Sequence, residues 1–353
     1  MKKIVTVFIV IASVFSAVFA YNPPAGGENL FEYSSPDLLS GKTSVTGGAL
    51  FSARADSLVI NPALAAGEQR VNLNAAYTLL HSLNQENKYG IGNAFQVGIL
   101  IPLKMFTFTG YFNGTMIPFD EMSLGNSFNL KAGLSKEITD KLDVGLSLNT
   151  GVIFKNGVDW ALSGNLGFNY YYGDLAFLKD FRYGASILNL GKNYERPASI
   201  GIQGDYRSSH YPTIATIKAG ASATVFANDS IDVGVALDLT TPLFQNLLVD
   251  LSSQILIQDK FYINVNERLN IAEMINNHAS AIPAISFGFR FPLSINSNQY
   301  LTDNGWNESE MTVSLAYRNL YSTVNAISAG VDVDLGLEDT TPPEIIFIDD
   351  DEE

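Results

Sequence analysis

Leu142-Asp143-Val144-Gly145-Leu146-Ser147-Leu148-Asn149-Thr150 alternates at period two. Successive side chains of a strand point to opposite faces, so Leu142, Val144, Leu146 and Leu148 share one side. Asp143, Gly145, Ser147 and Asn149 share the other. The same period returns in 71–79, 106–116, 128–134, 160–172, 181–187, 217–225, 231–239, 285–291, 311–317 and 327–335. Weaker examples are 95–101, 248–257 and 261–265. About fourteen strands are expected, most near the ~10 residues that a tilted membrane strand needs.

The chemistry of the two faces decides which one points outward. A soluble sandwich carries Lys, Glu and Thr on its solvent face. Here the polar face is Gly, Ser, Asn and Asp, groups small enough for a crowded lumen. The apolar face is Leu, Val, Ile and Phe, with Tyr and Trp toward strand ends, as an interfacial girdle requires. An open sheet edge would leave amides unpaired in hydrocarbon, so a closed barrel follows. The expected fold is all-β, a single transmembrane antiparallel barrel.

Composition agrees. Charged residues make up 16 % of the chain, against roughly a quarter in soluble domains. The chain has 21 basic and 36 acidic residues, and shows no basic face for a nucleic acid. It contains no Cys, which excludes disulfides, thiolate metal sites and a lipidated cysteine. No cofactor is assigned. His81, His210 and His278 fall in expected loops, whereas a barrel phospholipase needs a His beside a Ser on one wall. An enzyme is not expected.

Four segments follow. Residues 1–20 read as a secretory signal, with Lys2 and Lys3 before an apolar run and Val18-Phe19-Ala20 at the cleavage site. Residues 21–68 read as a leader and a compact irregular segment that a closed sheet would wrap around, 69–337 as the barrel, and 338–353 as an acidic tail. The tail reads as a solvated segment; a docking peptide for a periplasmic or secreted protein is the other reading. Connectors alternate short and long, as turns and loops do at the two ends of such barrels. The alternation fails at 294–309, too long, and at 321–323, too short, which suggests a misplaced strand.

Before the first strand lies Gly47-Gly48-Ala49-Leu50-Phe51-Ser52-Ala53-Arg54-Ala55-Asp56-Ser57-Leu58-Val59-Ile60-Asn61-Pro62-Ala63-Leu64-Ala65, with no lasting period. Pro62 removes a backbone donor and pushes Asn61 toward an extended shape. This stretch resembles the Asp…Asn-Pro-Ala…Leu-Ala segment that opens the barrel in FadL-like outer-membrane proteins, a group with the long-chain fatty-acid transporter and PorV-like relatives. Gly184-Ala185-Ser186-Ile187-Leu188-Asn189-Leu190-Gly191 resembles a strand end of the PorV-like members. The resemblance covers about 47–337.

It implies a fourteen-stranded barrel with an internal hatch fixed by Arg54, Asp56, Asn61 and Pro62. It also implies a kinked third strand over 105–116, interrupted at Gly110, Asn113 and Gly114, that opens sideways into the bilayer. The implied location is the outer membrane of a diderm bacterium, and the implied partners are membrane lipids and a hydrophobic small-molecule ligand. The implied function is uptake of that ligand, a long-chain fatty acid first among them. The alternative is a PorV-like structural or secretion-accessory barrel that binds another protein. Strand parity adds Lys131, Lys218 and Arg290 to the lumen face, with Asp143, Asp232, Asp238, Asp332 and Asp334. These bases would either receive a carboxylate head group or pair with acids and hold the hatch. The excess of acids favours pairing.

Overall fold

Alternation closes the sheet completely. In a computed structural model, fourteen antiparallel strands form one closed barrel in which each strand pairs with its sequence neighbours and β1 pairs with β14. The structure describes residues 30–82, 90–118, 125–154, 157–192, 194, 215–242, 244, 246–275, 280–295, 299, 308–320 and 324–336. The signal, the start of the leader, the acidic tail, His210 and His278 lie outside these residues.

The strands are β1 (Val71–Ser82), β2 (Ile91–Leu103), β3 (Phe106–Ile117), β4 (Gly125–Thr139), β5 (Leu142–Phe154), β6 (Val158–Leu175), β7 (Leu178–Lys192), β8 (Thr216–Ala227), β9 (Ile231–Pro242), β10 (Leu248–Ile257), β11 (Phe261–Asn270), β12 (Ala284–Leu293), β13 (Ser309–Leu320) and β14 (Val324–Leu335). All fourteen expected strands are present. The long 294–308 connection and the short 321–323 connection join strands placed as expected, so the broken alternation belongs to the molecule.

Parity along β5 places Asp143, Ser147 and Asn149 inside and leaves Leu146 and Leu148 exposed outside. The lipid face carries aromatics in two belts. Phe95, Phe112, Phe128 and Phe154 touch in series toward the loop end. Tyr170, Tyr172, Phe181 and Tyr183 touch at the turn end, where β1 begins. No described helix is long and apolar enough to cross a membrane; the strands make the crossing. The chain is therefore an outer-membrane-type barrel with an apolar coat.

The lumen is filled. Residues 30–66 enter near the loop end and descend to the start of β1 as four short pieces. These are a 3-10 turn at Leu30–Tyr33, a helix at Pro36–Leu39 and 3-10 turns at Ala55–Val59 and Pro62–Ala65. Phe31, Leu39, Val45, Ala55, Leu58 and Ala63 are each buried to 1 % exposure or less. Aperiodic residues could not join the ladder, and they form the plug that the wall closes around.

Candidate functional site

The plug seats on the wall by two kinds of contact. On β4 to β6 the contact is one of shape. A Cβ at Gly145 would strike the backbone of Pro62, and one at Gly167 would strike Asn61 Oδ1. Glycine is required there because the plug backbone lies directly against the strand. Asn61 then holds three parts together. Its Oδ1 accepts from Ala63 N at 3.0 Å and caps the Pro62–Ala65 turn. Its Nδ2 donates to Val45 O at 2.8 Å and to Phe168 O of β6 at 3.0 Å. Ser186 of β7 donates to Ile60 O at 2.7 Å.

On β8 to β14 glycine contacts recur, at Gly220, Gly234 and Gly330, and charge is added to them. Arg54 is buried and pairs with Asp334 of β14, with Asp332 at 4.0 Å. Burial works against its charge, but the two aspartates hold its pKa above the ordinary value. Arg70 joins Glu310 at 2.9 Å and Asp334 at 3.8 Å. Glu32 receives Lys218 at 2.8 Å and Arg268 at 2.6 Å, and Arg268 also holds Asp250 at 2.6 Å. Burial alone would raise the Glu32 carboxyl, yet Arg268 and Lys218 keep it well below the usual range. Lys42 pairs with Asp37 at 2.8 Å inside the plug and stands over the Tyr262 ring.

The structure thus places Arg54, Asp56, Asn61 and Pro62 in the plug, with distinct partners. Asp56 does not pair with Arg54. Its Oδ2 accepts from Ser35 at 2.6 Å and from Gln96 of β2 at 3.4 Å. Burial pushes its carboxyl up to about 6, with the Asp37 charge adding to the rise.

The third strand differs from expectation. β3 pairs without a register break to β2 from Leu103↔Phe106 to Asn93↔Met116, and to β4 from Thr107↔Ser135 to Ile117↔Gly125. There is no kink and no sideways opening at Gly110, Asn113 or Gly114. The physical reason is parity. Gly110 and Gly114 face the lipid and leave room for neighbouring side chains, since a Cβ at Gly114 would meet the Phe95 and Phe128 rings. Asn113 points inward and is buried, with neither side-chain polar atom hydrogen-bonded.

The three lumen bases also separate. Lys218 is neutralised by Glu32. Lys131 is buried with its ammonium 3.8 Å from the Phe31 ring centroid and no carboxylate partner among the described residues. Arg290 is half-buried near the turn end of β12. Sequence reasoning missed Glu32, Arg268 and Arg318. Arg268 and Arg318 follow from parity once β11 is carried past Val265 and β13 past Tyr317. Glu32 lies in an aperiodic segment and carries no such signal.

With this geometry in view, the barrel can be compared with solved structures. The toluene transporter TbuX of Ralstonia pickettii matches at 12 % identity and TM-score 0.52, over 87 % of this chain and 99 % of that one. The monoaromatic hydrocarbon channel CymD matches at 11 % identity and TM-score 0.52, over 89 % and 100 %. The chain has their fold. The FadL-like architecture expected from the Asn61-Pro62 stretch is borne out at that level. The toluene transporter TodX of Pseudomonas putida matches at 10 % identity and TM-score 0.50, over 90 % and 100 %. Comparison by sequence finds no matching family description and no matching curated protein.

Proposed function

We propose that this barrel passes a hydrophobic small molecule across the outer membrane, with residues 30–66 as the movable part. The match of fold over nearly the whole length of two toluene transporters and a monoaromatic hydrocarbon channel carries this reading. A fold hosts many functions, so the reading must be tested at the site. Apolar solutes suit it because polar channels and the lipopolysaccharide surface exclude them. A long-chain fatty acid is the finer candidate. Its carboxylate would find Lys131, a buried ammonium that faces an aromatic ring and, among the described residues, no acid.

The wall around β3 is sealed, so passage requires the plug to shift and does not run through a gap at Gly110. The test is uptake of labelled toluene and labelled oleate by proteoliposomes holding the full chain. Entry above that of empty liposomes supports the reading, and entry of both solutes no faster than into empty liposomes overturns it. Lys131→Gln should slow oleate and leave toluene unchanged. The continuous β3 ladder and the filled lumen favour a second reading, an accessory barrel that binds another protein. No solute uptake, together with one stoichiometric protein crosslinked at the barrel rim, would decide for it.

A further inference from the structure

One face of the apolar coat is not smooth. An open groove of about 900 Å³ runs across the lipid side of β11 to β14, β1 and β2. Phe287 and Phe289 of β12 form one shoulder, and Tyr77 of β1 with Phe95 of β2 forms the other. The floor between them includes Ala329 on β14 and Ala75 on β1, both exposed. From β12 to β1 there are three strand spacings, about 14 Å at roughly 4.8 Å each.

Tyr77 stands apart from the other lipid-facing tyrosines. Tyr170, Tyr172 and Tyr183 belong to the turn-end belt, where a hydroxyl meets water and head groups. Tyr77 is 51 % exposed in the middle of β1, between Val71 and Ser82 at the strand ends. Either end is about 16–20 Å away along the strand at roughly 3.3 Å per residue. Hydrocarbon offers a hydroxyl at that depth no acceptor, and a protein surface does. Lipid tails compete equally for apolar area, so proteins associate in a bilayer through small residues that allow close approach and polar groups that bond across.

The ladder makes this face self-complementary. The row of paired residues through Tyr77 climbs by way of Phe95 and Phe128 to Trp160, near the loop end of β6. In the other direction it falls by way of Ala329 and Phe287 to Ile263, near the turn end of β11. Ala329 therefore lies below Tyr77 on one side. Ala75 lies below it on the other, because β1 leans across the row as it descends to the turn end. With strands tilted by roughly 40°, both alanines fall about 3–5 Å below Tyr77 and about 4 Å to either side of it. A two-fold axis along the membrane normal through Tyr77 exchanges these two positions. It sets Ala75 of each copy on Ala329 of the other, and it brings the two Tyr77 hydroxyls together as donor and acceptor.

We propose that this groove is the interface of a two-fold dimer within the membrane, with Tyr77 on the axis and Ala75 of each copy against Ala329 of the other. The dimer needs no transport activity, so it stands or falls apart from the uptake reading.

The chain contains no Cys, so introduced thiols report contacts directly. Full-length variants in outer-membrane vesicles are oxidised with copper phenanthroline and resolved on non-reducing gels. Tyr77→Cys should cross-link to itself. Leu148→Cys, exposed on the lipid face of β5, should stay monomeric. Ala75→Cys and Ala329→Cys, carrying different tags, should cross-link when co-expressed and lose most of that yield when either is alone. Single-molecule photobleaching in liposomes then counts copies without a cross-link. Ala329→Trp, which fills the groove, should give monomers. Tyr77→Phe should weaken dimerisation about three- to tenfold, the effect of one hydrogen bond within a membrane. Heat-modifiable gel migration checks that each variant is folded. Tyr77→Cys cross-linking no better than Leu148→Cys would overturn the interface, as would equal yields from the mixed and separate alanine variants. Wild type that is monomeric at every protein density would leave the groove to lipid. Dimers of Ala329→Trp or Tyr77→Phe as tight as wild type would also defeat the proposal.

Discussion

Both sides of the barrel receive the plug at glycines, and one side adds buried charge. From β4 to β6 the wall offers glycine sockets, and Leu58, Asn61 and Pro62 press into Gly133, Gly167 and Gly145. From β8 to β14 glycines also receive the plug, Gly220 at Val45, Gly234 at Ala49 and Gly330 at Pro36, and charge is added through Asp334, Arg268 and Lys218. The ladders do not divide the same way: β8–β9 and β13–β14 each carry eleven pairs. β3 carries eleven pairs on each of its edges, and the β11–β12 seam carries six. Shape complementarity requires backbone contact and leaves no space for water. Buried charge requires hydrogen-bonding partners and tolerates solvated gaps. The shortest seam, β11–β12, lies on the side where charge is added to the plug's hold.

Amide exchange measured by mass spectrometry gives the widest separation of the two sides. Local opening energies range from near zero to the full unfolding value. Residues 267–270 should exchange orders of magnitude faster than 107–117. Equal protection would erase the distinction between seam and sealed wall.

Substitutions in the plug come next. Arg54→Ala leaves Asp334 and Asp332 without their buried partner and should cost about 3–5 kcal/mol in urea unfolding from detergent. Asn61→Ala on the opposite side removes neutral hydrogen bonds and should cost about 1–3 kcal/mol. A larger loss at Asn61 would mean that shape, not charge, dominates the plug's hold.

The glycines divide the same way. Gly145→Val drives a side chain into the Pro62 backbone. It should cost about 1–3 kcal/mol by overpacking and raise small-ion conductance in planar bilayers. Gly110→Val meets Ile99 Cγ2 at 3.3 Å and the Phe108 ring at 3.6 Å, on the lipid face. It should leave conductance and hydrophobic uptake at wild-type levels. Blocked uptake in Gly110→Val would restore a role for β3 that its unbroken ladder denies.

The smallest effect concerns pH. Asp56 has a folded-state pKa raised from 3.8 to about 6, so the docked plug favours its protonated form. Its contribution is full below the ordinary carboxylate value and is lost as pH rises through about 6. Facing it are Asp37, Ser35, Gln96 and Lys42. Asp56→Asn should be nearly neutral at pH 4 and stabilise the protein by about 1 kcal/mol at pH 8, by the linkage of proton binding to folding. Destabilisation at pH 8 would show that Lys42 needs the charge more than burial opposes it.

The amino-acid sequence alone determined the barrel. Alternation at period two is local, and it specified fourteen strands, an apolar coat and an interior of Gly, Ser, Asn and Asp before any contact was known. Parity also placed Lys131, Lys218 and Arg290 on the lumen side. Only the tertiary structure decided which of these charges are matched. Lys218 meets Glu32 across 186 residues of chain, and Arg54 meets Asp334 across 280. Those pairings depend on how an aperiodic segment winds through the lumen, and no period encodes that path. Gly110 and Gly114 make the same point from the wall. A glycine in a strand signals either a bend or a close neighbour, and the Phe95 and Phe128 rings packed over Gly114 show that here it is the neighbour. The length of each ladder was likewise hidden, because it is set where two strands part company, a property of the pair and not of either sequence.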